Sequence, residues 1–146
     1  MAITQALANA FKKQLLEGDH NFKASGGDKF KIALYTSSAT LNSATTSFTT
    51  GNEVSNSGQY TSGGGKLAGN NTSVASGVAI VDFADRSFTG VTLTARGALI
   101  YNTSSTATNA AVAALDFGGD KTATSGTFTI QFPAFTTAAA ILRISG

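Results

Sequence analysis

Thr94-Ala95-Arg96-Gly97-Ala98-Leu99-Ile100-Tyr101-Asn102, followed by Leu115-Asp116-Phe117-Gly118-Gly119-Asp120-Lys121, decides how this chain is read. The two segments predict a strand, a polar turn, a second strand and a glycine turn, with no catalytic constellation among them. Upstream, Phe30, Ile32 and Leu34 alternate with Lys29, Lys31 and Ala33, a strand with one buried face. Further strands are expected over 78–83, 88–94, 98–102, 111–117, 127–132 and 139–144. Clusters of Ser, Thr, Asn, Asp and Gly lie between them, residues that favour turns for backbone reasons. Many short strands punctuated by turns indicate a mainly β protein, an antiparallel β-sandwich or barrel-like domain.

The first residues break this pattern. Ile3, Leu7, Ala10, Phe11 and Leu15 fall on one stripe of a 3.6-residue period, which predicts one N-terminal α-helix over 2–16. Lys12 and Lys13 lie near its C-terminal end, where cations suit the helix dipole, and Gly18 stands where a helix would stop. The expected organisation is therefore a helical arm over 1–18 and a β-sandwich domain over 19–146. An apolar stripe must be covered. Either the helix packs on its own domain, or Ile3, Leu7, Phe11 and Leu15 dock on a neighbour.

A Thr/Ser/Gly-rich excursion over 36–75 has only Leu41, Phe48, Val54, Tyr60, Leu67 and Val74 to anchor it. It is too long for a simple surface loop. Either short strands form around Phe48 and Leu67, or the region orders against a partner. Its centre, Gly58-Gln59-Tyr60-Thr61-Ser62-Gly63-Gly64-Gly65, predicts a hairpin or long loop anchored by Tyr60, which joins the candidate interface residues.

Composition excludes much chemistry. With 146 residues the chain fits one domain with a real core. Only 12% of residues are charged and the net charge is +2, so the basic pI reflects a small imbalance. The closest cationic cluster is Lys12-Lys13, which is not the footprint of a nucleic-acid-binding face. No cysteine is present, which rules out disulfides, thiolate metal sites and cysteine nucleophiles. No stretch approaches the length of a signal peptide's apolar region or a membrane span, so a protein made in the cytoplasm and outside the membrane is expected. Asn71-Thr72-Ser73 fits a glycosylation acceptor by letter, but reads as a loop.

Letter matches to active-site motifs fail on context. Gly63-Gly64-Gly65-Lys66-Leu67 lacks both the first glycine and the hydroxyl residue of a phosphate loop, since Tyr60 and Leu67 stand there. Asp116-Phe117-Gly118 lacks every other kinase element. The single histidine, His20, beside Gly18-Asp19, is expected to be solvent-exposed or turn-bonded rather than a catalytic base. The pairs Asp82/Asp85 and Asp116/Asp120 are expected to cap turns at strand ends; calcium-loop spacing is absent. With no Trp and three Tyr, platforms for sugar binding are few. No catalytic residue, cofactor or metal is assigned, and a non-enzyme is expected.

The order of segments carries a resemblance. Ala2-Ile3-Thr4-Gln5-Ala6-Leu7, Phe11-Lys12, Leu15-Leu16 and Gly18-Asp19-His20-Asn21-Phe22 lead to Phe30-Lys31-Ile32-Ala33-Leu34-Tyr35 and Asn52-Glu53-Val54. The glycine-tyrosine loop, Asp82-Phe83-Ala84-Asp85, Arg96 to Asn102, Leu115 to Lys121 and Phe128-Thr129-Ile130-Gln131-Phe132-Pro133 follow. This order resembles small virion structural proteins of tailed bacteriophages over most of the chain, most weakly over 36–75. The resemblance implies a structural protein of a virus particle, localised to the virion after synthesis in the host cytoplasm. The role expected is a decoration, or cement, protein on the outside of the capsid shell. Its partners would be the major capsid protein or other virion proteins, and copies of itself as a homo-oligomer, with a trimer as the first guess. Neither nucleic acid nor membrane is an expected partner. The alternative is a neck, tail or fibre component contacting other virion proteins or a host receptor. On the decoration reading, deleting residues 1–17 is expected to abolish shell binding and leave the β-domain folded.

Overall fold

Two long strands organise the molecule, described for residues 2–145 by a computed structural model. In chain order the elements are β1 (Ala6–Leu7), α1 (Asn9–Leu16), β2 (Phe30–Tyr35), β3 (Gly65–Lys66), β4 (Asn71–Ala75), β5 (Val78–Asp82), β6 (Arg86–Asn102), β7 (Ala110–Ile130) and β8 (Leu142–Ser145). They form a five-stranded sheet of order β1-β7-β6-β2-β3 and a three-stranded sheet of order β4-β5-β8. All named pairings are antiparallel. The protein is mainly β with one short N-terminal helix, and its sheets do not close into a barrel.

The pairs of strands expected over 88–102 and over 111–132 are instead the single strands β6 and β7. Arg96 and Gly118-Gly119 do not end a strand; they sit in a bulge, where the register shifts between Ala95↔Lys121 and Gly97↔Asp116. Gly118 has φ 79°, a conformation that favours glycine, and the Asp116 carboxylate accepts the Gly118 N–H at 2.9 Å. Arg96 Nε donates to the same Asp116 oxygen at 3.3 Å across the bulge. Pairing with the opposite strand carries the chain through a sequence that locally reads as a turn.

Burial is two-sided where the sheet is central. β2 buries Phe30, Ile32, Ala33, Leu34 and Tyr35, and the last six residues of β6 are all buried. The facing half of β7 is Ala110-Ala111-Val112-Ala113-Ala114-Leu115, whose small side chains admit a close second layer. Gly97 belongs to the same contact: a side chain there would collide with Ile3 and with the Leu115 carbonyl.

The helix is shorter than its apolar stripe predicts. Residues 2–7 are extended: Thr4 N–H donates to the Leu41 carbonyl at 2.8 Å, and Ala6 and Leu7 pair with Ala114 and Ala113. These tertiary hydrogen bonds take the backbone groups that a first helical turn would use. α1 then starts without a side-chain cap. Ala8 N–H donates to the Val112 carbonyl at 2.9 Å and Asn9 N–H to that of Ser43 at 2.7 Å, so sheet and loop replace the cap. At the other end Gly18, at φ 77°, donates to the Leu15 carbonyl, while Asp19 N–H reaches that of Gln14 at 2.9 Å. This is a Schellman stop, at the glycine the sequence indicates.

Candidate functional site

The excursion over 36–75 divides between the two sheets. Its first part is tied down by all three tyrosines of the chain. Tyr35 Oη donates to the Thr49 carbonyl and Tyr101 Oη to that of Gly63, each at 2.6 Å, and Phe48 stacks on the Tyr101 ring. Tyr60 is fully buried against Phe88; its hydroxyl accepts the Leu34 N–H at 2.8 Å and donates to Glu53 Oε2 at 2.7 Å. The Glu53 carboxylate also accepts Ser62 Oγ–H at 2.8 Å and Gly63 N–H at 2.7 Å. Burial holds all three phenols above their usual titration range, that of Tyr101 at about 12. They are hydrogen-bonding struts. Tyr60, expected as a loop anchor at an interface, is an anchor in the core.

Leu67 lies beside β3, as a strand near that residue predicts. Phe48 is flanked only by an isolated bridge between Ser47 and Ala110. Beyond Leu67 the chain leaves the core. β4 is exposed at every residue and is joined to β5 by Ser76-Gly77, both at positive φ (51° and 76°), the geometry of a tight two-residue hairpin.

Between α1 and this small sheet runs an apolar groove of about 570 Å³. Phe11, Leu15 and Leu16 line one wall, and Ile80, Leu142 and Ile144 the other. Two cationic residues, Lys12 and Arg143, border it, and no acidic residue does among the described residues. Leu16 is 90% exposed, Val74 70% and Ile144 56%. Val74 opposes Ala79, and Ala79 opposes Ile144, so the three form one row on one face of the small sheet.

The five interface residues expected from sequence therefore separate. Leu7, Phe11 and Leu15 meet at the groove, with Phe11 buried at its base among the side chains of His20 and Phe22. Ile3 is buried against Gly97, and Tyr60 lies in the core. The helix packs on its own domain, and its buried stripe belongs to the same core as the five-stranded sheet. The surface residues missed by sequence are Leu16, Val74 and Ile144. Leu16 falls one residue off the apolar stripe, and Val74 is the one large apolar residue of its strand; those are the only signals they carry.

Several aspartates accept backbone N–H groups, two of them from far along the chain, while Asp82 Oδ1 is buried without a partner among the described residues. Asp85 accepts the Phe132 N–H at 2.8 Å and Asp19 that of Thr106 at 2.8 Å. Hydrogen bonds from backbone N–H groups hold the carboxyls of Asp19 and Asp116 below the usual carboxylate range. Among the described residues no three His, Asp or Glu side chains group as metal ligands, and no helix is long and apolar enough to cross a membrane. His20 is buried, against the exposed or turn-bonded position expected, because Phe11 and the end of β6 close over it. Comparison with protein-family models, curated proteins and solved structures gives no match to this chain.

Proposed function

We propose that the chain is a structural protein of a tailed-phage particle, a decoration protein whose apolar groove seats on the outside of the capsid shell. The observation that supports this reading is the pair of solvated aliphatic side chains, Leu16 and Ile144, at the groove, with Val74 in the same row of the small sheet as Ile144, across Ala79. Large exposed apolar side chains gathered at one place mark surfaces that another macromolecule covers. The low charge of the chain suits the same use, because interface cores are depleted in charged residues. The resemblance of the order of segments to that of small phage virion proteins supplies the setting of the proposal. Copies that bind the assembled lattice and not free coat protein stabilise it by mass action, about 2.7 kcal/mol per site at a hundredfold excess over Kd. Self-association on the particle, with a trimer as the first model, belongs to the same proposal.

Immunogold labelling of intact virions tests the location. Gold spread over the whole head is the expected result. Gold confined to the neck, tail or fibres overturns the decoration role in favour of a connector or receptor-contacting one. Co-sedimentation with shells lacking the protein tests the surface: Leu16→Asp together with Ile144→Asp should abolish binding, and unchanged binding would overturn the groove as the footprint.

A further inference from the structure

His20 lies at the centre of a polar cluster that joins three parts of the molecule. Its Nε2 is 2.8 Å from Gln14 Oε1 on α1, and its Nδ1 is 2.9 Å from Asn102 Nδ2 at the end of β6. Asn102 is fully buried, and each of its polar atoms is committed. Nδ2 also donates to Asp28 Oδ2 at 2.7 Å, while Oδ1 accepts the Ser104 N–H at 2.8 Å. Turning the amide over would set its oxygen against the Asp28 carboxylate and its NH2 against the Ser104 N–H. The amide orientation is therefore fixed, and with it the imidazole: Nδ1 must accept, so Nε2 carries the proton and donates to Gln14.

We propose that His20 is an acid-sensitive latch: its neutral Nε2–H form fastens the last turn of α1 to the end of β6, and protonation at Nδ1 opens that fastening. A proton on Nδ1 would point a second donor at an NH2 group that has no acceptor to offer. Relief requires the ring to leave Asn102 or the Asn102 amide to leave both Asp28 and Ser104. α1 is one wall of the apolar groove, so acid would loosen that wall, whatever the groove meets.

The charged surroundings are few. Asp19 and Asp28, from the segment between α1 and β2, attract an imidazolium; β6 presents the neutral Asn102, and α1 presents Gln14 and the Phe11 ring. Lys13 of α1 pairs with Glu17, just past the helix end, on the exposed side at 2.7 Å, and Lys12 borders the groove. Burial outweighs the two aspartates and holds the imidazole below its ordinary value of 6.5. The opened state, with an ordinary histidine, therefore binds more protons in acid than the closed one. The latch is fully effective above the ordinary value and weakens as pH falls below it towards the depressed one.

The chain has one histidine, so its ring signals are unambiguous in the full-length protein. Nitrogen-15 NMR of the imidazole should show the Nε2–H tautomer at neutral pH and a titration midpoint below the ordinary value. Over the same range, exchange protection of the Gly18 and Asp19 amides, corrected for intrinsic rates, should fall about tenfold per unit of depression in the midpoint. The Ile32 and Ile100 amides in the sheet should not change. An Nδ1–H tautomer, or a His20 that titrates while Gly18 and Asp19 keep their protection, would overturn the proposal. Gln14→Glu places a carboxylate on Nε2, stabilises the imidazolium and should remove most of the acid sensitivity. A folded Gln14→Glu protein with the wild-type pH profile would also overturn it. If that variant does not fold, the wild-type tautomer and exchange data decide alone.

Discussion

Residues 53–65 and residues 70–77 draw on nearly the same alphabet of Ser, Thr, Asn and Gly, yet one is stitched into the core and the other lies in solvent. The difference is made by three side chains, of which Val54 is buried in the core. Tyr60 gives the first stretch an aromatic body to bury, and Glu53 gives it an acceptor for three donors, the Tyr60 hydroxyl among them. The second stretch has Val74 alone, 70% exposed, and is held by backbone pairing with β5. Composition fixes neither outcome. One aromatic residue with a satisfied polar end can order a loop that otherwise has little to offset its conformational entropy.

The widest separation between anchored and unanchored parts lies at the N-terminus. Ile3, Ala8 and Phe11 are core residues and β1 covers one edge of β7, so deleting residues 2–17 uncovers the centre of the main sheet. The expected result is loss of cooperative unfolding, followed by circular dichroism against denaturant. A truncated protein that keeps a sharp transition would restore the arm as a separate unit. Tyr60→Ala comes next, with a loss of about 3–5 kcal/mol for an aromatic side chain removed from a packed core. Tyr60→Phe keeps the ring but leaves the Leu34 N–H without its acceptor and Glu53 without one donor. Its cost is about 1–3 kcal/mol, the range for a buried polar group deprived of its partner. If Tyr60→Phe matches the wild type in denaturant midpoint, the bonds of the Tyr60 hydroxyl contribute nothing and Tyr60 anchors the loop by the packing of its ring alone.

The same contrast explains what could be read before the fold was known. Phe30 to Tyr35 carries its pattern locally, period-two aliphatics, and forms a strand as that pattern predicts. Gly18 stops α1 because a left-handed residue is a local requirement. Residues 2–7 read as helix and are extended, because the partners that decide their backbone, Leu41 and β7, are distant in sequence. Gly118-Gly119 read as a turn and lie in a bulged strand, because only pairing with β6 reveals the register shift. His20 follows the same rule: nothing beside it announces burial, since Asn102 comes from the other end of the main sheet's central strand. Of the groove, Leu7, Phe11 and Leu15 were legible as a helical stripe. Its opposite wall comes from β5 and β8, and no periodicity links those strands to α1.

The smallest effect on folding should come from the surface that matters most to the proposed role. Leu16→Ser and Val74→Thr alter side chains that are 90% and 70% exposed, so little burial is lost, and each should move stability by no more than about 0.5 kcal/mol. Thr also keeps the β-branched shape that suits β4. A residue that serves only packing would show the reverse pattern, a large stability cost with no separate effect on association. If the exposed aliphatics are a footprint, the double variant should melt with the wild type and yet fail to co-sediment with shells, because removing their methyl groups subtracts buried area only in the bound state. Equal melting with equal retention would leave Leu16 and Val74 as scattered surface hydrophobics, which need no explanation. The unanchored half of the comparison would then be loose for want of a core, rather than left open for a partner.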